Sequence, residues 1–121
     1  MKTCLVVDDS RIVRKIVRDM VQGLGYHVEE ARDGLEAVSA CEQSMPDLIF
    51  LDWNMPRMSG IDFLKALRSM EHGNEPKVLF CTTEAETVRI EEALTAGCDE
   101  YIIKPFDRAI IESKLALVGL D

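Results

Sequence analysis

Short runs of consecutive apolar residues alternate along the chain with stretches in which apolar residues recur every three or four positions. Cys4-Leu5-Val6-Val7 is a run too short for a helix, as are Leu48-Ile49-Phe50-Leu51 within Asp47–Asp52 and Val78-Leu79-Phe80-Cys81. Uninterrupted apolar runs of this length are how strands buried on both faces of a parallel sheet read. His27–Ala31 is a more polar strand suited to an edge, and Tyr101-Ile102-Ile103 is a fifth. Between them the spacing changes to that of amphipathic helices. Ile12, Val13, Ile16, Val17, Met20, Val21 and Leu24 form the first stripe, closed near Gly23-Leu24-Gly25. Asp33 with Glu36 marks the start of a second helix through Leu35, Val38 and Cys41. The third runs through Ile61, Phe63, Leu64 and Leu67 and ends before Gly73. Thr83 with Glu86 frames a fourth through Val88, Ile90, Ala93 and Leu94, stopped at Gly97. Asp107 caps the last, through Ile110, Ile111, Leu115 and Val118. Five strands alternating with five helices predict an α/β domain with a parallel sheet, and right-handed crossovers place helices on both faces.

Composition narrows the class. A chain of 121 residues with 47% hydrophobic and 30% charged residues reads as one globular domain with its own core. The pattern occupies residues 1–121 and leaves nothing over for an effector domain. No apolar run approaches the roughly 18 residues of a membrane helix, and the first residues turn acidic at Asp8, too early for a secretory signal. A cytoplasmic protein is expected. The net charge of −8 disfavours nucleic acid as a partner. Cys4, Cys41, Cys81 and Cys98 lie far apart in apolar surroundings and read as small reduced core residues. His27 and His72 are isolated and read as surface or edge residues.

The chemistry-bearing residues fall at strand ends. The first strand runs into Asp8-Asp9, the third into Asp52, the fourth into Thr82 and the fifth into Lys104-Pro105. In a parallel sheet these carboxyl ends share one edge, which is where open α/β sheets hold their ligands. Each acidic position alone reads equally well as a solvated turn or a strand-end cap; their joint placement does not. Three carboxylates and an ammonium make a hard oxygen site suited to Mg²⁺ with retained waters. Such a site leaves one carboxylate free to attack phosphorus. Neither a Walker loop nor GxGxxG occurs, which argues against a nucleotide ligand.

Asp8-Asp9, Asp52, Thr82 and Lys104-Pro105, in that order on successive strand ends, resemble the receiver domain of two-component response regulators. The resemblance covers the whole chain. Asp52-Trp53-Asn54-Met55-Pro56, Thr82 followed by Glu84-Ala85, and Tyr101 through Lys104-Pro105-Phe106 make it similar to the stand-alone, CheY-like chemotaxis regulators. The resemblance implies a doubly wound five-stranded sheet of order 2-1-3-4-5. It implies that Asp52 accepts a phosphoryl group from a histidine kinase, and that Asp9, Asp52 and the main-chain carbonyl of Asn54 hold Mg²⁺, with Asp8 acting through a bound water. Lys104 would pair with the phosphoryl oxygens, a cis bond to Pro105 being one expectation. Thr82 would move to hydrogen-bond the phosphoryl group, with Tyr101 swinging into the vacated space. Ile90, Leu94, Tyr101 and Lys114 fall on the family's partner-binding face, and the downstream target would be a protein such as a flagellar switch component. A monomer is expected. Leu94 is bulkier than the alanine usual there, so the target need not be that switch. Thr83 replaces a small Ala or Gly and is expected to narrow access to the phosphoryl group. Trp53 reads as a partly exposed aromatic beside the site.

Two other readings compete. A phosphate sink or phosphorelay intermediate would share the site but engage no motor. A Mg²⁺-dependent phosphatase of the haloacid dehalogenase class also uses an aspartyl nucleophile, but its DxDxT signature is not met by Asp8-Asp9-Ser10.

Overall fold

A computed structural model describes residues 1–120, the side chains of Glu84 and Ala85 excepted. Five parallel strands are ordered β2-β1-β3-β4-β5: β1 is Thr3–Val7, β2 His27–Ala31, β3 Leu48–Asp52, β4 Lys77–Thr83 and β5 Glu100–Lys104. The helices are α1 Arg11–Gly23, α2 Gly34–Gln43, α3 Gly60–Ser69, α4 Ile90–Ala96 and α5 Arg108–Leu117. The doubly wound sheet of order 2-1-3-4-5 expected from the sequence is thus present. Local sequence explains most boundaries. Ser10, Asp33, Ser59 and Asp107 each cap a helix by accepting a backbone N–H three residues on, an interaction typically worth about 1 kcal/mol. Glu36 returns the favour at α2 by accepting from Arg32 N at 2.9 Å. Gly97 ends α4 at φ +114°, in the left-handed region that glycine enters without strain.

The sheet divides two cores. On one face β-strand residues Leu5, Ile49, Leu51 and Phe80 pack beneath Ala37, Phe63, Leu64, Leu67 and Ala93 of α2, α3 and α4. On the other, Val6, Phe50, Leu79 and Ile102 meet Val17 and Val21 of α1 and Ile111 and Leu115 of α5. The cysteines are all buried and free, as the sequence implies. His27 and His72 are exposed, each beside a nearby glutamate (Glu29 at 2.9 Å and Glu75 at 2.6 Å) that sequence reasoning had not supplied.

Three expectations need correction. The α1 stripe is wider than the buried seam: Ile12 is 73% exposed and Ile16 also faces solvent, while Val17 and Val21 are buried. The fourth helix does not begin as an α-helix. Glu84–Arg89 is a 3-10 segment, and α-geometry starts only at Ile90. Trp53 is 3% exposed rather than partly open, seated edge-on against Phe80 at 4.8 Å between ring centroids. No helix among the described residues is long and apolar enough to cross a membrane.

Candidate functional site

Strand register builds the site. Asp52 lies beside Cys81, Phe80 beside Tyr101, Thr82 beside Ile103 and Thr83 beside Lys104. Alternation along the strands then sends Asp52 and Lys104 to the α1/α5 side of the sheet edge and Thr82 and Tyr101 to the α3/α4 side. Asp8 follows β1 and is buried, whereas Asp9 is exposed. The Asp8 carboxylate caps the next turn, accepting Ser10 N–H at 2.8 Å, and Arg14 holds its carbonyl oxygen at 2.7 Å.

Lys104 joins the two strand-end carboxylates. Its Nζ lies 3.0 Å from Asp52 Oδ1 and 3.3 Å from Asp8 Oδ2. Burial opposes its charge, but the Asp52 hydrogen bond and the charges of Asp52 and Asp8 outweigh burial and push its pKa up to about 12. The lysine is therefore cationic throughout the physiological range. Asp52 moves the other way. Desolvation and the neighbouring Asp8 charge raise its pKa despite the lysine bond. One ammonium shared by two carboxylates does not cancel both.

Each of Asp8, Asp9 and Asp52 presents an oxygen within 4.8 Å of the others, and this is the one metal-competent cluster among the described residues. A compact, all-oxygen, net-negative donor set opening to solvent at Asp9 fits Mg²⁺, a hard ion that keeps several waters. Asp8, Asp9 and Asp52, three of the four residues the resemblance implies as metal ligands, thus lie together. Asn54 is exposed in the loop that follows β3, and its amide Nδ2 donates to Glu86 Oε2 at 2.8 Å.

Thr82 is 3% exposed, with its hydroxyl donating to the carbonyl of Thr83 at 3.3 Å. Tyr101 is half-buried on the same sheet face. Lys114 Nζ lies over its ring, 4.4 Å from the centroid, and 3.5 Å from Glu100 Oε1. Leu94 is exposed on α4, with Ile90 one turn earlier and half-buried. The Lys104–Pro105 bond is cis. Thr83 is exposed, and its hydroxyl is engaged by Glu86 at 3.1 Å.

Three contacts escaped sequence reasoning. Arg57, in the left-handed region at φ 66°, binds the Asp33 carboxylate with its Nε at 3.1 Å and also through a terminal nitrogen. Asp33 is 2% exposed, and the guanidinium followed by the Glu36 backbone bond holds its pKa below the usual range. Met58 packs where α2 has Gly34: an added Cβ there would lie 2.6 Å from Met58 Cγ. Third, Arg89 stacks over Trp53, 3.9 Å from the ring centroid. The loop after β3 is thus pinned to α2 on one side and to the 3-10 segment on the other. A broad depression of about 800 Å³ lined by Cys41, Met45, Met70 and His72 lies at the opposite sheet edge, away from all of these groups.

Residues 4–116 match the family model for the response regulator receiver domain. Among curated proteins, the chain is 42% identical over 112 residues to the chemotaxis protein CheY-3 of Vibrio cholerae, covering 92% of this chain and 86% of that one. It is 38% identical to the chemotaxis protein CheY of Pseudomonas aeruginosa, over 92% and 90% of the two chains. Among solved structures, the chemotaxis response regulator CheY4 of Vibrio cholerae superposes with a TM-score of 0.90 at 35% identity, covering 98% of each chain. The receiver domain of a Pseudomonas aeruginosa sensor histidine kinase, solved with a magnesium ion coordinated in its active site cleft, gives 0.88 at 28% identity, again over 98% of each.

Proposed function

The chain belongs to the response regulator receiver family, and on that premise we propose that it accepts a phosphoryl group on Asp52 from a histidine kinase and thereby switches a protein-binding face in chemotaxis or a related two-component path. The observation that carries this reading is the gathering of Asp8, Asp9 and Asp52 at one sheet edge, with the ammonium of Lys104 bonded to Asp52 and Asp8. A CheY-like relative and a CheY structure covering nearly the whole chain support the chemotaxis assignment.

Asp52 serves as the nucleophile in this reading. Its Oδ forms the new bond to phosphorus as the donor's bond breaks, and the basicity raised by burial and the Asp8 charge favours attack. Lys104, already within hydrogen-bond distance of Asp52, remains charged and neutralises the oxygens of the arriving group. Asp8, Asp9, Asp52 and the Asn54 main-chain carbonyl would hold Mg²⁺, which when bound offsets the charge that builds on the phosphoryl oxygens. Thr82, with only a weak bond to the adjacent carbonyl, is free to exchange it for a phosphoryl oxygen. Tyr101 shares its sheet face, two residues away in register, so a shift of Thr82 alters the space beside the ring. Phosphorylation then biases an equilibrium, and a partner that prefers the Tyr101-inward state binds more tightly. Ile90, Leu94, Tyr101 and Lys114 form the proposed face. The protein has no catalytic output beyond this phosphoryl chemistry and its own dephosphorylation.

Incubation with a small phosphodonor and Mg²⁺, read by intact mass, tests the assignment. Wild type should gain one phosphoryl group and Asp52→Asn none. Equal labelling of a folded Asp52→Asn variant would overturn it.

A further inference from the structure

The carboxylate of Glu86 is divided between two loops. Oε1 accepts from the Thr83 backbone N–H at 3.3 Å and from the Thr83 hydroxyl at 3.1 Å, while Oε2 accepts from Asn54 Nδ2 at 2.8 Å. Asn54 stands two residues past Asp52, and Thr83 one residue past Thr82, in register with Lys104. Glu86 therefore bridges the two connections that border the site. Arg89 lies one 3-10 turn further on, and residues three apart eclipse in such a helix, so both share its face. Arg89 grips Trp53 as Glu86 grips Asn54. The two residues that immediately follow Asp52 thus hold one face of the same turn.

Two features give the bridge a consequence. First, it depends on the side chain of Thr83 as well as its backbone, since the hydroxyl supplies one of the two bonds to Oε1. Its hydroxyl and backbone N–H together anchor Glu86. Second, the site already sets three carboxylates against one ammonium, and Glu86 adds another negative charge at the rim. A phosphoryl donor is itself anionic, so this charge opposes its approach, while the bridge holds the two loops through which water must reach phosphorus for the group to leave.

We propose that Glu86 is a positioning residue that latches the loop after β3 to the Glu84–Arg89 segment and slows phosphoryl traffic at Asp52 in both directions. The proposal rests on the assignment of Asp52 as phosphoacceptor, and its charge and hydrogen-bond parts separate by substitution. Glu86→Ala removes both. Glu86→Gln keeps an acceptor for Asn54 but removes the charge.

Acetyl phosphate with Mg²⁺ supplies the gain in mass, and removal of the donor starts the loss. Glu86→Ala should raise both rates roughly five- to tenfold, the scale set by losing a screened charge and charge-assisted bonds. Glu86→Gln should show a smaller rise, in the gain of mass alone, that shrinks as salt shortens the roughly 10 Å range of the charge. Without donor, Glu86→Ala should also speed amide exchange across residues 84–90 and shift Trp53 emission. Rates within twofold of wild type in both variants, or amide exchange unchanged in Glu86→Ala, would overturn the latch. A wild-type protein that takes no phosphoryl group would overturn the proposed function instead. Exchange and emission would then decide the bridge alone, unchanged values refuting it and changed values supporting it.

Discussion

Adding Mg²⁺ to the metal-free protein should raise its melting temperature, by an amount that the site allows to be worked out. The native state gathers the oxygens of Asp8, Asp9 and Asp52 within 4.8 Å; an unfolded chain holds them apart and binds the ion weakly. With free Mg²⁺ at about ten times its dissociation constant, linkage adds about 1.4 kcal/mol to the native state. An unfolding entropy of about 2.1 cal/mol/K per residue gives about 0.25 kcal/mol/K for this chain, so the shift is about 5–6 °C. The acid range supplies a second handle. Because burial and Asp8 raise the folded pKa of Asp52, the native state binds its proton more readily than the unfolded chain does. Its contribution to metal-free stability therefore falls as pH rises through the window above the ordinary carboxylate value. Bound metal must displace that proton, so the Mg²⁺-induced shift should shrink as pH is lowered into the same window. Melts by circular dichroism at constant ionic strength, with NaCl replacing MgCl₂ in the control, measure it, and Trp53 emission follows binding at fixed temperature. A shift under one degree at millimolar Mg²⁺ would refute the reasoning. So would an undiminished shift in an Asp9→Asn/Asp52→Asn protein, since the ion would then sit elsewhere.

Tyr101→Ala should label normally at Asp52 yet lose much of the gain in partner affinity that beryllofluoride confers, a coupling of about 1–3 kcal/mol or 5- to 150-fold. Equal enhancement in both proteins would remove Tyr101 from the switch. Gly60→Ala should destabilise the fold by about 1–3 kcal/mol or more, because the added Cβ would lie 2.2 Å from the main-chain oxygen of Asp52. Urea unfolding reads it, and a loss under about 0.5 kcal/mol, the scatter of neutral surface changes, would contradict the packing. The thiols should resist iodoacetamide at pH 8, since burial pushes Cys41 up to about 11, Cys81 and Cys98 to about 12, and Cys4 higher still. All four should react in denaturant; rapid alkylation of a native thiol would show that the core opens.

The sheet was readable because its signals are local. Four apolar runs of strand length and one more polar edge run, separated by helical stripes, leave few arrangements once crossovers must be right-handed. The convergence of Asp8, Asp9, Asp52 and Lys104 followed from that topology, since parallel strands deliver their ends to one edge. What escaped depends on side chains meeting across the loops. Arg57 and Asp33 are 24 residues apart, Asn54 and Glu86 are 32 apart, and no periodicity links either pair. The burial of Trp53 is of the same kind: it takes Phe80 from β4 and Arg89 from the next turn to cover the ring. The late start of α4 has a related cause. Thr83 and Glu86 do form the expected box, but Glu86 is simultaneously drawn to Asn54, and the turn between is 3-10 rather than α. Ile12 and Ile16 mislead in the opposite direction, apolar by sequence yet left uncovered by the fold.

The sheet acts as a partition between two interiors that share no side chains, one roofed by α2, α3 and α4 and the other by α1 and α5. Loosening one interior need not disturb the other, because only strand backbone is common to both. The margin at β5 is the exception. The chain passes there from α4, on one side, to α5, on the other, with Tyr101 and Ile103 exposed or half-exposed between them. A protein laid along that border would rest on both roofs at once. It would sense how the two are set relative to each other, a property that neither compartment holds by itself.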